Sequence, residues 1–381
     1  MIATVPVLAL VASVLGNPLP ASSNLEVRDS CTINSLSTVA AAEKCSTISA
    51  GLPKITINAF NVPAGEKLVI NAPDKAVINL KGNVVFEADT TFKTTGPLFT
   101  LSGTGITFNG NGFTIDGQGA KYWDGQGISS SAKQAKPHPM IKLSCSGTVE
   151  NFKVLNSPAQ VFSMGNDAAL TVSKITIDNS AGNSANSLSG GKPAAHNTDG
   201  FDVSTSDVTI QDSIITNQDD CLAINKGSNI IFQNNKCTGG HGISIGSVAS
   251  GSTVSNIHIT GNTITNNVQA LRIKTDADAA SGSVSGVIYS GNTATGCTEY
   301  GVIIDQSYPD TLGTPKGGVK ISGITFTGTN TIAVASSAKG EVEVNCAKGG
   351  CTGTWDWAGL KVSGGSSAGS IANADISNFK L

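Results

Sequence analysis

Short runs of alternating apolar and polar residues recur along this chain, separated by turns rich in glycine and asparagine. Such alternation over about four to eight residues is typical of β-strands. Six runs align with offsets of 33, 22, 27, 30 and 37 residues, and they are Lys174–Asn179, Asp207–Asp212, Asn229–Asn234, Asn256–Gly261, Gly286–Gly291 and Gly323–Gly328. A strand repeat with a period of about 20 to 40 residues indicates a solenoid or a propeller.

The pattern favours a solenoid over the other repeat folds. A propeller blade requires about four strands and a recurring signature, but Trp-Asp-Trp at 355–357 occurs once. Leucine-rich repeats require regularly spaced leucines, which are absent. The sequence therefore predicts an all-β parallel β-helix with capped ends, in which stacked coils bury an Ile/Val core. Its many Gly and Asn residues suit turns with left-handed backbone.

The N-terminal segment predicts a secreted protein, and the net charge bears on its partners. Its 381 residues include 44 glycines, and its net charge of −3 gives no support for a nucleic-acid partner. Residues 1–20 are apolar and resemble a secretory signal peptide. We expect residues 1–28 to form this peptide and a short pro-segment, and residues 29–381 to form one β-helix domain. No later stretch is long and apolar enough to span a membrane.

The eight cysteines also fit an oxidising compartment. No CxxC pair occurs, which disfavours a zinc site. The pairing of Cys145 and Cys297 is left open. Three candidate disulfides join cysteines that are close in sequence, namely Cys31 with Cys45, Cys221 with Cys237, and Cys346 with Cys351.

A second strand in each coil carries polar residues at a constant register. Asp199, Asp220 and His241 are each 21 residues apart, so one column should hold them, with neighbouring coils about 4.8 Å apart. Asp219 lies beside Asp220. Arg272 and Lys274 leave a later strand of the same series and, being two residues apart, share one of its faces.

Three carboxylates, an imidazole and two cations in one patch indicate a chemical site. Stacked aspartates repel each other, which raises the pKa of at least one carboxyl group, and such costs are typical of active sites. A solvated polar ladder and a calcium site are the alternatives. The adjacent Arg272 and Lys274 argue against a bound cation.

Four motifs in this order resemble those of fungal endopolygalacturonases of glycoside hydrolase family 28. They are Asn197–Gly200, Gln218–Cys221, Gly240–Ser247 and Arg272–Lys274. The resemblance covers nearly the whole mature chain. It implies a right-handed parallel β-helix of about ten coils, in agreement with the repeat pattern.

The resemblance also implies hydrolysis of α-1,4-linked galacturonic acid in pectin with inversion. Asp219 matches the general acid, Asp199 and Asp220 match the pair that activates water, and His241 matches the residue that supports protonation of the acid. The remaining matches are to substrate-binding residues, and they are Asn197, Arg272, Lys274 and Tyr308. Inverting carboxyl groups are usually farther apart than retaining ones, so the inverting assignment depends on the resemblance rather than on the coil spacing.

Other functions stay open at this point. They are an exo-polygalacturonase, a rhamnogalacturonan or xylogalacturonan hydrolase, a calcium-dependent pectate lyase, and a non-enzymatic β-helix adhesin. From the resemblance we expect an extracellular monomer that needs no cofactor or metal. Its expected partners are polygalacturonate and plant leucine-rich-repeat inhibitor proteins.

Overall fold

A computed structural model describes residues 31–45, 51–91 and 96–381 of the chain. Its strands pair in parallel, each with the equivalent strand of the next coil, so that one ladder runs from Thr32 to Ala372. This is the predicted parallel β-helix. The segment predicted to be a signal peptide lies outside the described residues.

One face of the β-helix, here called the cleft sheet, carries the predicted site. Several of its longer strands continue around a corner into a neighbouring face. Its strands are Leu68–Asn71, Phe99–Asn109, Ile141–Leu155, Phe162–Met164, Phe201–Val203, Leu222–Ile224, Ile243–Val248, Gln269–Asp276, Tyr300–Tyr308, Gly340–Asn345 and Gly369–Ala372.

Two further faces complete each coil. The second sheet contains Thr32–Ile33, Lys54–Ile57, Val77–Leu80, Leu170–Asp178, Val208–Gln211, Gly227–Gln233, Ser252–Thr260, Gly282–Ser290, Lys320–Thr327 and Cys351–Thr352. The third contains Phe60–Val62, Val84–Phe86, Thr114–Asp116, Ile214–Thr216, Lys236–Thr238, Thr263–Thr265, Thr293–Cys297, Asn330–Val334 and Leu360–Ser363.

The remaining elements are short. Thr354–Asp356 pairs with Asp375–Ser377 near the C-terminal end. One α-helix, Val39–Ala42, is present in the described residues, together with 3₁₀ turns at Leu36–Thr38, Gly119–Lys121 and Ser180–Asn183. None of the described helices is long or apolar enough to cross a membrane.

The core is a stack of inward-facing apolar side chains with a polar seam. Apolar side chains such as Ile210, Phe232 and Ile259 are fully buried and follow one another from coil to coil. At one corner, buried asparagines pass hydrogen bonds along the axis: the amide of Asn235 donates to Asn262, and the amide of Asn262 donates to Asn292. These bonds satisfy turn backbone that would otherwise be buried without partners.

The repeat alignment was wrong for its first member. It placed Lys174–Asn179 against Asp207–Asp212, but Leu170 pairs with Val208, and Ile177 pairs with Ile215. The strand Leu170–Asp178 spans two faces, and both of its halves alternate in the same way. Sequence pattern alone could not tell which half belongs to the second sheet. The later offsets agree with the register, since Val208 pairs with Ile230 and Ile230 with Ile257.

The three candidate disulfides are confirmed, with Cα–Cα distances of 5.3, 5.8 and 5.9 Å in chain order. Cys145 and Cys297 are free thiols in different strands, and both are buried. Burial raises the pKa of Cys145 to about 12 and that of Cys297 to about 11. These two thiols are therefore packed as small apolar groups rather than activated.

Candidate active site

The predicted column of polar residues is present at the start of the cleft-sheet strands. Phe201 pairs with Leu222 and Leu222 with Ile243, so Asp199, Asp220 and His241 take equivalent positions in successive coils. Backbone hydrogen bonds tie these turns together, and one of them is from the Gly200 amide to the Asp220 carbonyl at 2.9 Å. The turns therefore stack with the same register as the strands of the cleft sheet.

The turn that carries Asp219 and Asp220 is held from inside. The buried Asn217 amide donates to the carbonyls of Thr198, Asp219 and Asp220 at 2.9 to 3.0 Å. On the other side, Cys221 is joined to Cys237. These bonds fix the backbone so that two adjacent carboxylates can point into different surroundings.

Asp219 is paired with His241. Nδ1 of His241 lies 2.9 Å from Oδ1 of Asp219, and Oδ1 also accepts the Asp220 backbone amide at 2.8 Å. Burial disfavours ionisation of Asp219, but the hydrogen bond from His241 and the charges of His241 and Lys274 outweigh it and lower the pKa to about 2. Burial also lowers the pKa of His241, but Asp219 outweighs this and raises the pKa above its usual 6.5. In the free site the shared proton therefore lies on the imidazole.

Asp220 has donors on both oxygens. Oδ1 accepts the Ser244 hydroxyl at 2.6 Å, and Oδ2 accepts Nζ of Lys274 at 2.7 Å. Asp220 is 1% exposed. The hydroxyl and the ammonium therefore fix the orientation of this buried carboxyl group.

Asp199 and Asp202 have the opposite electrostatic environment. Burial and the charges of Asp219, Asp202 and Asp220 raise the pKa of Asp199 well above its usual 3.8. Burial and the charges of Asp220 and Asp219 raise the pKa of Asp202 to about 7. Like charges in a poorly solvated site resist simultaneous ionisation, so both carboxyls keep a proton to higher pH than an ordinary aspartate does.

The two predicted cationic ligands differ in whether another side chain of the described residues already pairs with them. Lys274 is already ion-paired with Asp220, and the ring centroid of Tyr308 lies 5.3 Å from its Nζ. The Arg272 guanidinium has no hydrogen-bond partner among the described residues, and its Nε is buried. An unpaired buried donor of this kind calls for an anionic ligand. Of the two cations, Arg272 is thus the one without a partner in the described part of the chain.

All eight predicted site residues meet in or around one cavity of about 320 Å³. Its lining includes two residues that the sequence reading did not assign, Gln160 and His196. The signal for Gln160 was its register: the Val161 amide donates to the Asp199 carbonyl at 2.8 Å, which places Gln160 next to Asp199 in the same column.

Asn197 links the cluster to a long loop. Its Nδ2 donates to Oδ2 of Asp219 at 3.3 Å, while its Oδ1 accepts the Ile128 amide at 3.1 Å. The loop is organised around Asp124, which is fully buried and forms a 2.8 Å ion pair with Lys136. Asn197 adopts a left-handed backbone at φ 53°, a conformation that asparagine tolerates. It therefore positions one oxygen of Asp219.

A metal could in principle use the same groups. One ligand atom each from Asp219, Asp220 and His241 lie within 4.8 Å of one another. These three side chains already form hydrogen bonds within the site, however, and the ammonium of Lys274 lies 2.7 Å from Oδ2 of Asp220. The local charge therefore opposes a divalent cation at this place.

The model for "Glycosyl hydrolases family 28" matches residues 53–379 of this chain. The chain belongs to family 28 of the glycosyl hydrolases. Among similar proteins, an endo-polygalacturonase of Sclerotinia sclerotiorum is 43% identical over 321 residues, covering 82% of this chain and 79% of the relative. A polygalacturonase of Cochliobolus carbonum is 39% identical and covers 93% of each chain.

Solved structures agree with this family 28 assignment. Endopolygalacturonase I from Stereum purpureum, complexed with two galacturonate, is 46% identical with a TM-score of 0.82, and the match covers 91% of this chain and 98% of that one. A polygalacturonase from Erwinia carotovora has a TM-score of 0.61 at 23% identity, covering 91% of this chain and 96% of that one. The latter likeness concerns the fold alone.

Proposed function

We propose that this family 28 enzyme hydrolyses α-1,4-galacturonosidic bonds within polygalacturonan. The observation that carries the proposal is the unpaired Arg272 guanidinium beside a cluster of carboxyl groups whose pKa values are shifted in opposite directions. Hydrolysis of a glycoside needs a protonated carboxyl for the leaving oxygen and a carboxylate for water. A substrate with one carboxylate per sugar supplies the anion that Arg272 lacks. The names of the similar fungal proteins support the same substrate and an internal cut.

Asp220 is proposed to act as the charged member of the water-activating pair, with Asp199 as its partner. Lys274 and Ser244 stabilise the charge on Asp220. Asp199 is one coil away and holds a proton more strongly. A water between them would give its proton to Asp220 while it attacks the anomeric carbon.

Asp219 is proposed as the general acid, and this role requires that it gain a proton when substrate binds. In the free site Asp219 is ionised and His241 carries the proton 2.9 Å away. A substrate carboxylate on Arg272 adds a negative charge to the site and offsets the field of Lys274, one of the groups that lower the pKa of Asp219. Exclusion of water acts in the same direction. Substrate binding would therefore move the proton toward Asp219.

A digest of polygalacturonate in the presence of a chelator tests the reaction class. We expect mid-length oligomers early in the digest and no ultraviolet absorbance from unsaturated ends. Monomer as the sole early product would show exo attack, and new absorbance would show a lyase. Asp219→Asn should remove hydrolysis and retain folding and substrate binding, and near-normal turnover by this variant would overturn the role of Asp219.

Inversion is the proposed stereochemical outcome. An α-linked substrate cut with inversion releases a reducing end that is first in the β form. Proton NMR during the first turnovers distinguishes this form from the α anomer that retention would give. The α anomer as first product would contradict the water-activating roles of Asp199 and Asp220.

Three disulfides support a secreted enzyme, because such bonds persist in oxidising compartments. We propose that it acts outside the cell on the pectin of plant cell walls, as a monomer. Inhibition by plant leucine-rich-repeat proteins stays a prediction from the family resemblance. Detection of the enzyme in culture medium, its mass in solution and an inhibition assay test these points separately.

A further inference from the structure

A lysine stands in the same outward-facing column as Arg272, on the opposite side of the aspartates. Strand pairing runs through the column residue by residue, and its members are Lys142, Ser163, Asp202, Ala223, Ser244 and Arg272. Lys142 is thus two coils before Asp202, and Arg272 is three coils after it. Five coil spacings of about 4.8 Å separate the two cations, which is about 24 Å along the axis.

Lys142 has nothing to neutralise it in the described part of the chain. It is exposed between the buried Ile141 and Leu143, so its side chain points outward from the cleft sheet. It has no hydrogen-bond or ion-pair partner among the described residues, whereas Lys153 is paired with Asp178 at 2.8 Å. A cation without a partner is available to an anion from solution.

Small residues of the next coil lie beside Lys142. Lys142 leans over the next coil, where its Cε lies 3.6 Å from the place that a Cβ would occupy on Gly165. Ser163 is the outward residue of that coil. Gln160, in the same coil, already lines the cavity beside Asp199, and its Oε1 is buried without a hydrogen-bond partner in the described residues. The one outward side chain between Lys142 and Asp202 in this column is therefore a small one, that of Ser163.

We propose that Lys142 binds the carboxylate of a second galacturonate unit, about 10 Å to the N-terminal side of the aspartates. The inference rests on the proposed function and deepens it, since it makes affinity depend on chain length. A polyanion that lies along the cleft sheet presents one carboxylate per sugar. It can meet Arg272 and Lys142 at once only if it spans about five coils. A short oligomer can engage one of the two cations but not both.

The expected effect is modest because Lys142 is exposed. Exposed charge pairs gain little and are screened by salt. We expect Lys142→Gln to lower kcat/KM for an octamer of galacturonate about threefold to fivefold at low ionic strength, in the range of one exposed charge contact. The difference should shrink at high ionic strength, and kcat/KM for a trimer should not change.

Lys236→Gln is the matched control. Lys236 is also exposed and unpaired among the described residues, but it lies on the third sheet, away from the cleft. It loses the same charge, so kcat/KM for both oligomers should equal that of the unmodified enzyme. Thermal unfolding of both variants checks that each is folded.

Equal octamer values for Lys142→Gln and the unmodified enzyme would overturn the subsite, as would equal losses on trimer and octamer. If the unmodified enzyme cuts neither the trimer nor the octamer, the proposed function is refuted instead. In that case calorimetric binding of the octamer to the unmodified chain and to Lys142→Gln still decides the subsite. Weaker binding by the variant supports it, and unchanged binding refutes it.

Discussion

Nζ of Lys274 lies 2.7 Å from Oδ2 of Asp220, although the two residues are 54 positions apart in sequence. Two coils of the β-helix bring them together, and the pair is almost completely buried. Arg272, two residues from Lys274 on the same strand, has no such partner among the described residues. The neighbouring cations therefore have different tasks.

Replacement of each cation should separate these tasks. Lys274→Met leaves Asp220 buried with one donor, and we expect kcat to fall about 100-fold or more, as for loss of a preorganised electrostatic contact. Arg272→Met removes the proposed charge-assisted contact to substrate, and we expect KM to rise about tenfold or more with a smaller change in kcat. Steady-state kinetics on polygalacturonate measures both.

Lys320→Met serves as the control for these two variants, because Lys320 is exposed on the second sheet and its ammonium contacts the Gly349 carbonyl. Its kinetic constants should stay unchanged. The same pattern of kcat and KM changes in the Arg272 and Lys274 variants would contradict separate roles.

Folding stability should depend on pH through Asp202. Its pKa is raised from 3.8 to about 7, so between pH 4 and 7 the native state binds more protons than the unfolded state. Stability therefore falls as pH rises through this window. Asp202→Asn removes the contribution of this carboxyl, and the variant should lose less stability between these two pH values. Urea unfolding of both proteins at pH 4 and pH 7 measures the change in the free energy of unfolding. An equal change in both proteins would show that Asp202 does not cause the pH dependence.

The ionisation of His241 should depend on Asp219. The Asp219 carboxylate raises the pKa of His241 against the effect of burial. In Asp219→Asn the imidazole of His241 remains buried but loses the carboxylate that favours its protonated form, so the pKa of His241 should fall. The chain has 4 histidines, which makes assignment of the imidazole signals in an NMR titration practicable. Asp207→Asn, on another face, is the control and should leave the titration of His241 in place.

Two disulfides should differ in their contribution to stability. Cys221 and Cys237 close a loop of sequence separation 16, and Cys346 and Cys351 close one of separation 5. The loop-entropy model gives about 3 kcal/mol for the first and about 2 kcal/mol for the second. Replacement of each pair by serine, followed by denaturant unfolding, measures the two losses. Activity should fall more for the first pair, since Cys221 adjoins Asp220.

The column of polar residues could be found from sequence because the coils that carry it have equal lengths. Asp199, Asp220 and His241 are separated by equal numbers of residues, so alignment of the strands sufficed to stack them. The same method was wrong at Leu170–Asp178, where one strand bends across two faces and both halves carry the same alternation. Local pattern determines which side chains point inward, but not at which corner the chain turns.

Charge and protonation required the tertiary structure. The sequence marked both Arg272 and Lys274 as candidate ligands of a substrate carboxylate. Of these two cations, only Lys274 is paired with an aspartate in the described residues. Asp202 was passed over because nothing local distinguishes it from a solvated strand residue. Its raised pKa comes from burial beside Asp220 and Asp219. The sequence by itself determined the fold class, the disulfides and the members of the column. The distances between side chains on different coils, which set every ionisation and every free donor in the site, came from the tertiary structure, because electrostatic energy depends on separation and burial in space rather than on position along the chain.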